Sequence, residues 1–353
     1  MFSPRRYLYN LVSGRIKGPL AVFLRSFLFA LSLIYGLAVV ILAAFYRIRP
    51  VRLGAKVISV GNITLGGTGK TTFVEYLSGW LSLQGKRVAV LSRGYRRNTS
   101  KQGIQGIGDE PAMLQQKLPS VQVIVDKNRI QAARKAIRQY AADTLILDDG
   151  MQQWRIFKDL EVVTIDAGNP FGNCQMLPAG FLREPQNALR RADIFVLTQV
   201  GLNQDTSGLT FELKRINTAA LIIESRHTPD GFNSVSNPDE LFGVDMLRGK
   251  SALIFSGIGN PQGFENCISE LKINIAKSFR FADHHDYAQA DIESIIQEAR
   301  QMNLDTIITT RKDAVKIREL EIKGAGIWAL NIKLSITKNE AEFNRRLLKL
   351  YSL

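Results

Sequence analysis

Gly66-Gly67-Thr68-Gly69-Lys70-Thr71-Thr72 is the stretch of this sequence whose residue types and spacing best suit chemistry. Glycines let a backbone curl with its N–H groups turned inward, a lysine reaches outer phosphates, and the next hydroxyl can join the shell of a Mg2+ ion. The pattern predicts a phosphate cradle over Thr64, Leu65, Gly66, Gly67, Thr68, Gly69, Lys70, Thr71 and Thr72, with Thr71 on the metal side. One position departs from the general form: Thr64 stands where glycine is usual, five residues before Gly69. Leu145-Ile146-Leu147-Asp148-Asp149-Gly150 has the form of an apolar strand ending in acid, so Asp148 and Asp149 are the Mg2+ candidates. An Asp-Asp-Gly turn also forms for purely structural reasons. In Gly108-Asp109-Glu110-Pro111, Asp109 suits either a helix N-cap or a base that takes the proton of an acceptor hydroxyl. Arg93, in Ser92-Arg93-Gly94-Tyr95, is a candidate phosphate clamp. His284 and His285 sit together beside Asp283, where a capped helix start is the plain alternative to a catalytic role.

Positioning these groups takes strands, and the sequence supplies them. Lys56–Val60 runs straight into the glycine loop, and helical periodicity continues through Phe73, Tyr76, Leu77, Trp80 and Leu81. Further apolar runs at 87–91, 121–125, 144–147, 161–165 and 194–197 are separated in several places by helical segments, which indicates a parallel sheet covered on both faces. The expected fold is thus a doubly wound α/β core of the P-loop type. Past about Thr218 a ribbon and a polar, turn-rich passage read as a connection. The alternation restarts at Ser251 and continues to a closing helix from about Asn339. The expected division is a basic segment and apolar helix at 1–47, a nucleotide domain at 48–217, a linker at 218–250 and a smaller α/β domain at 251–353.

The chain has 353 residues, 45% hydrophobic and 22% charged, an ordinary globular balance that excludes disorder as its theme. Its formal charge of +14 is heavily placed at the front: no acidic residue precedes Glu75. Basic residues bracket an uncharged stretch from Ser26 to Tyr46. As a helix rising roughly 1.5 Å per residue it covers about 30 Å, the thickness of a bilayer's hydrocarbon core. A signal peptide is disfavoured because Ala43-Ala44-Phe45-Tyr46-Arg47 is no cleavage site, and a buried core helix because the stretch is apolar on all faces. Nucleotide chemistry puts the chain after Arg47 in the cytosol, with its basic residues near anionic lipid headgroups. Charge clustered around an apolar segment, without interleaved aromatics, argues against nucleic acid as a partner. No obligate protein partner is evident. Cys174 and Cys267 form neither a zinc pattern nor an expected disulfide.

Taken together these segments resemble the tetraacyldisaccharide 4'-kinase family of lipid A biosynthesis. The resemblance runs in order through Gly61-Asn62, Gly66–Thr71, Ser92–Tyr95, Gly108–Pro111, Asp148–Gln152, Leu177–Gly180, Leu182–Pro185, Gly257–Pro261, Asp283-His284 and Lys312–Lys316. It accommodates Thr64 within the loop. Gln153, where many members have histidine, and Thr72, where proline is frequent, are differences. The resemblance implies transfer of the ATP γ-phosphoryl to the 4'-hydroxyl of a tetraacyl disaccharide 1-phosphate with Mg2+. It implies Lys70 on the β and γ phosphates, Asp109 as base paired with His284, and Arg93, Glu110 and Asn260 on the substrate. A membrane GTPase switch is the alternative class. Guanine recognition expects Asn or Thr, then Lys, any residue and Asp, whereas Thr310-Arg311-Lys312-Asp313 has its lysine one position late.

Overall fold

The computed structural model describes residues 4–93, 111, 114–115, 117–201, 204–283, 285–322 and 326–352. Asp109, Glu110 and His284 lie outside the described residues. The chain divides into two compact units, residues 1–226 with 336–353, and residues 227–335.

The first unit is built on parallel strands: β1 (Lys56–Gly61), β2 (Val88–Ser92), β3 (Gln122–Val125), β4 (Thr144–Asp148), β5 (Leu160–Asp166) and β6 (Ile194–Thr198). They lie in the order β6-β5-β1-β4-β2-β3, with the first residues of β7 (Leu221–Ser234) beside β6. All these pairs are parallel, as with Val57 opposite Leu145 and Val60 opposite Asp148. Near-continuous burial along β1, β2, β4, β5 and β6 follows from cover on both faces, whereas β3, last in the order, buries only Ile124. Helix α3 (Lys70–Leu83) buries Phe73, Val74, Leu77 and Leu81 at the i, i+4, i+8 spacing of one helix face. Helix α4 (Arg129–Tyr140) sets Ala132, Ala133 and Ala136 in one cluster with Ala89, Leu91, Leu145 and Leu147. Asn128 caps α4 by accepting from the amides of Ile130 and Gln131. Helix α5 (Ser207–Ile216) adds Leu213 to a cluster containing Val163, Phe195 and Leu197.

Two glycines decide how closely the loop after β1 and the turn after β4 approach. A Cβ on Gly61 would stand 2.6 Å from the Met151 amide nitrogen, and one on Gly150 would stand 2.6 Å from Ser59 Oγ. Any larger residue there forces the two carboxyl-end segments apart.

The second unit repeats the α/β plan on a smaller scale. Strands β9 (Ser251–Ser256), β10 (Asn274–Arg280), β11 (Thr306–Thr310) and β12 (Gly326–Lys338) lie parallel in the order β10-β9-β11-β12. Helix α6 (Pro261–Glu270) places Phe264 and Ile268 with Ile254 and Ile308, while α7 (Gln289–Gln301) places Ile292, Ile295 and Ile296 with Leu253 and Phe255. The short α8 (Arg311–Ile317) adds Ala314 and Ile317 to the second of these clusters. The antiparallel pair Phe232 and Phe242 joins the end of β7 to β8 (Leu241–Phe242).

The expected boundary shifts at the C-terminus. Residues 336–353, read from sequence as the end of the smaller domain, belong to the first unit. Helix α9 (Glu340–Lys349) puts Phe343 edge-on to Phe73 of α3 at 5.9 Å between centroids. Tyr76 donates to Glu340 at 3.3 Å, and Asn339 Nδ2 donates to the Ile222 carbonyl at 2.8 Å. The fully buried Phe343 accounts for the return.

Ahead of β1, α1 (Pro4–Val12) precedes the 30-residue α2 (Pro19–Ile48), long and apolar enough to cross a membrane. Phe23, Ile34, Leu37, Ile41 and Phe45 are exposed along it, while Ser32, Val39 and Ala43 form a buried stripe. On the buried side Tyr35 Oη donates to the Arg183 carbonyl at 3.1 Å, and Gly36 packs by Met176.

Candidate active site

The cradle begins where β1 ends. Gly66 and Gly69 adopt positive φ, +126° and +70°, which L side chains rarely tolerate, so glycine is required for the curl. Three of the loop's carbonyls are tied to side chains: Thr64 O accepts from Asn62 Nδ2 (2.9 Å), Gly67 O from Gln199 Nε2 (3.1 Å), and Thr68 O from Thr198 Oγ1 (3.1 Å). Thr68 Oγ1 and Thr164 Oγ1 share a hydrogen bond of 2.8 Å. Lys70 opens α3 with Gly69 at the N-cap and no acid in the first turn. The positive end of the helix dipole thus opens on the loop with no acid in the first turn of α3 to compete.

Opposite stands the turn after β4. Asp149 takes a left-handed backbone, φ +55°, which aspartate tolerates better than most residues. Its two carboxylate oxygens accept from the Arg183 guanidinium at 2.8 Å each, and Lys70 Nζ lies 3.8 Å away. Burial alone would raise the Asp149 carboxyl, but the Arg183 hydrogen bonds and the charges of Arg183, Lys70 and Arg129 outweigh it and hold it below the usual aspartate range. Asp148 Oδ2 accepts from Ser92 Oγ at 3.3 Å, and its carbonyl from the buried Arg129 at 3.1 Å. Lys70, Thr71, Asp148 and Asp149 are therefore brought to one edge of the sheet, at the carboxyl ends of β1 and β4, where open α/β sheets bind ligands. Arg93 follows β2 at the same edge and is exposed. Leu65 is half exposed; Thr72 is in the first turn of α3.

Asn260 lies in the second unit. It is the N-cap of α6, its Oδ1 accepting from Gly263 N at 2.9 Å. His285 pairs with Asp291 at 3.1 Å and stacks on Phe281. That contact accounts for His285 as a structural residue.

Four residues without an expected role prove central. Arg183 grips Asp149 and the Asn62 main-chain carbonyl, the latter at 2.8 Å. Gln152 Nε2 donates to that same carbonyl (3.1 Å) and to Glu184 (3.0 Å). Glu184 is almost fully buried and also accepts from Trp154 and Arg191. Arg129, buried behind Asp148, completes the set. For Arg183, Gln152 and Glu184 the signal in the sequence is membership of two of the ordered segments, Asp148–Gln152 and Leu182–Pro185; no local spacing points to the roles.

A family model described as tetraacyldisaccharide-1-P 4'-kinase matches residues 24–352. The chain belongs to this family. Similar curated relatives include the tetraacyldisaccharide 4'-kinase of Halothermothrix orenii, 34% identical over 94% of each chain. That of Syntrophus aciditrophicus is 34% identical over 95% of this chain and 94% of its own. Among solved structures, the "apo" form of LpxK from Aquifex aeolicus in complex with ATP matches with a TM-score of 0.72. It is 28% identical, covering 93% of this chain and all of that one. The P-loop kinase fold expected from the glycine loop and the parallel strands is thereby the fold of a family member. The shared architecture also covers the second α/β unit.

Proposed function

We propose that this chain transfers the γ-phosphoryl group of ATP to the 4'-hydroxyl of a tetraacyl disaccharide 1-phosphate, giving the bis-phosphorylated lipid A precursor. The observation that carries the reading is the meeting of Lys70 and Thr71 with Asp148 and Asp149 at one sheet edge, in a chain matched by the family model nearly end to end. The donor set fits Mg2+, which takes one or two carboxylates and completes its shell with phosphates and water. Both oxygens of Asp149 are committed to Arg183, so we assign Thr71 and Asp148 to the ion. Bound Mg-ATP supplies the phosphoryl group with its charge partly neutralised.

The chain's own groups do the rest. The loop amides and Lys70 hold the β and γ phosphates, and Arg183 presents a second cation beside Asp149. Asp109 accepts the 4'-hydroxyl proton as the new O–P bond forms and the bond from the γ phosphorus to ADP breaks. The family resemblance assigns His284 as the partner of Asp109, and Arg93, Glu110 and Asn260 to the acceptor. The acceptor stays in a bilayer, so we place the protein at the bacterial inner membrane with its catalytic units on the cytoplasmic side. The exposed apolar face of α2 suits lipid, and its inner stripe on the first unit favours a helix that embeds beside the protein. Tethering makes encounter with a lipid substrate effectively two-dimensional.

The test is incubation of the full chain with γ-labelled Mg-ATP and the disaccharide lipid in mixed micelles. Label on the glycolipid at the 4' position is expected. Label appearing only as inorganic phosphate would overturn the reading.

A further inference from the structure

Asn62 is where the two cations of the site meet. It lies one residue past β1 and is fully buried. Its Nδ2 donates to Thr64 O and Thr64 Oγ1, which fixes the orientation of the amide. Its Oδ1 then accepts from Lys70 Nζ at 3.1 Å and also from the Arg183 guanidinium. The Asn62 carbonyl receives Arg183 again and Gln152, so both the side chain and the main chain of this residue are held from several directions.

Like charges repel, and bringing an ammonium and a guanidinium to one point calls for an acceptor between them. One carboxylate is already present, Asp149, bonded to Arg183 at 2.8 Å and 3.8 Å from Lys70; a second would leave the two cations with no net positive charge for a phosphoryl group. An amide oxygen accepts from both and cancels neither.

We propose that Asn62 is a positioning residue for phosphoryl transfer, its Oδ1 setting the spacing and direction of Lys70 and Arg183 without adding to the negative charge that Asp149 already supplies. The proposal rests on the kinase reading. Cations fixed in advance need no rearrangement as charge shifts in the transition state, so the benefit falls on turnover more than on nucleotide binding. If Asn62 merely braced the loop through Thr64, nucleotide affinity would suffer first.

A double-mutant cycle separates these cases. Wild type, Asn62→Ala, Arg183→Gln and the double variant are compared as full chains, with kcat measured on Mg-ATP and the disaccharide lipid and ATP affinity measured separately. Asn62→Ala is expected to lower kcat about tenfold or more while the ATP Kd stays within about threefold. The double variant is expected to fall little below Arg183→Gln alone, since residues that act as a unit are non-additive. Multiplying losses, or a Kd that rises as far as kcat/KM falls, would overturn the proposal. Should Asn62→Ala fail to fold, Asn62→Asp keeps the shape and adds a charge. It also loses the Nδ2 donation to Thr64, so its kcat is measured on the folded fraction; a drop in kcat larger than any rise in ATP Kd is expected, and near-normal turnover would overturn the proposal. A wild-type protein that leaves the glycolipid unphosphorylated would instead remove the kinase reading beneath it.

Discussion

At the scale of single residues, the site is a set of opposed charges held close by backbone geometry that few residue types can adopt. Lys70 is the group whose loss should matter most plainly. Lys70→Ala is expected to lower turnover about 100-fold or more, within the range seen when one preorganised electrostatic contact is removed, and steady-state rates on the glycolipid check it. Asp109→Ala is expected to lower turnover about 100-fold or more if that carboxylate is the base, and near-normal turnover would remove Asp109 from the role. Lys70, Thr71 and the Asp148-Asp149 pair are legible in the sequence because each belongs to a short pattern with its own physical reason. Arg183 is not. Its partners Asp149 and Asn62 are 34 and 121 residues away, a juxtaposition that only the parallel sheet creates.

Among the elements, the packing of α9 against α3 is the feature with a measurable pH signature. Burial, together with the charge and hydrogen bond of Glu340, pushes the Tyr76 hydroxyl from the ordinary 10.0 up to about 12. A pKa raised by folding means that the contribution is fully present below pH 10 and is lost as pH rises through about 12. Thermal unfolding measured across that window should fall more steeply in the wild type than in Tyr76→Phe, and identical slopes would contradict the assignment. Strands β1, β2, β4, β5 and β6 are readable as unbroken apolar runs, since strands covered on both faces carry little else. The return of residues 336–353 to the first unit is not readable. An amphipathic helix near a C-terminus shows which of its faces is apolar but not which surface will cover it.

For the molecule as a whole, a nucleotide-handling unit is joined to an apolar helix that keeps one stripe on protein and turns the other face outward. Deleting the residues before Arg47 is expected to weaken membrane retention while ATP affinity is kept, because the loop carbonyls are tied by residues 62, 198 and 199. Flotation with vesicles of anionic phospholipid would check it, and a truncated chain that still floats fully would show that other surfaces anchor the protein. The length and all-round apolarity of α2 make it readable as a membrane element; its contact through Tyr35 to the segment carrying Arg183 is hidden in an otherwise uniform run. The central claim is that the cradle passes a phosphoryl group to a lipid-borne sugar hydroxyl. Its most direct test counts ATP consumed against glycolipid phosphate formed, in the full chain and in Lys70→Ala. Mole-for-mole agreement in the first and near-complete loss of both in the second are predicted. ATP consumption without phosphorylated glycolipid, or undiminished transfer by Lys70→Ala, would contradict the account.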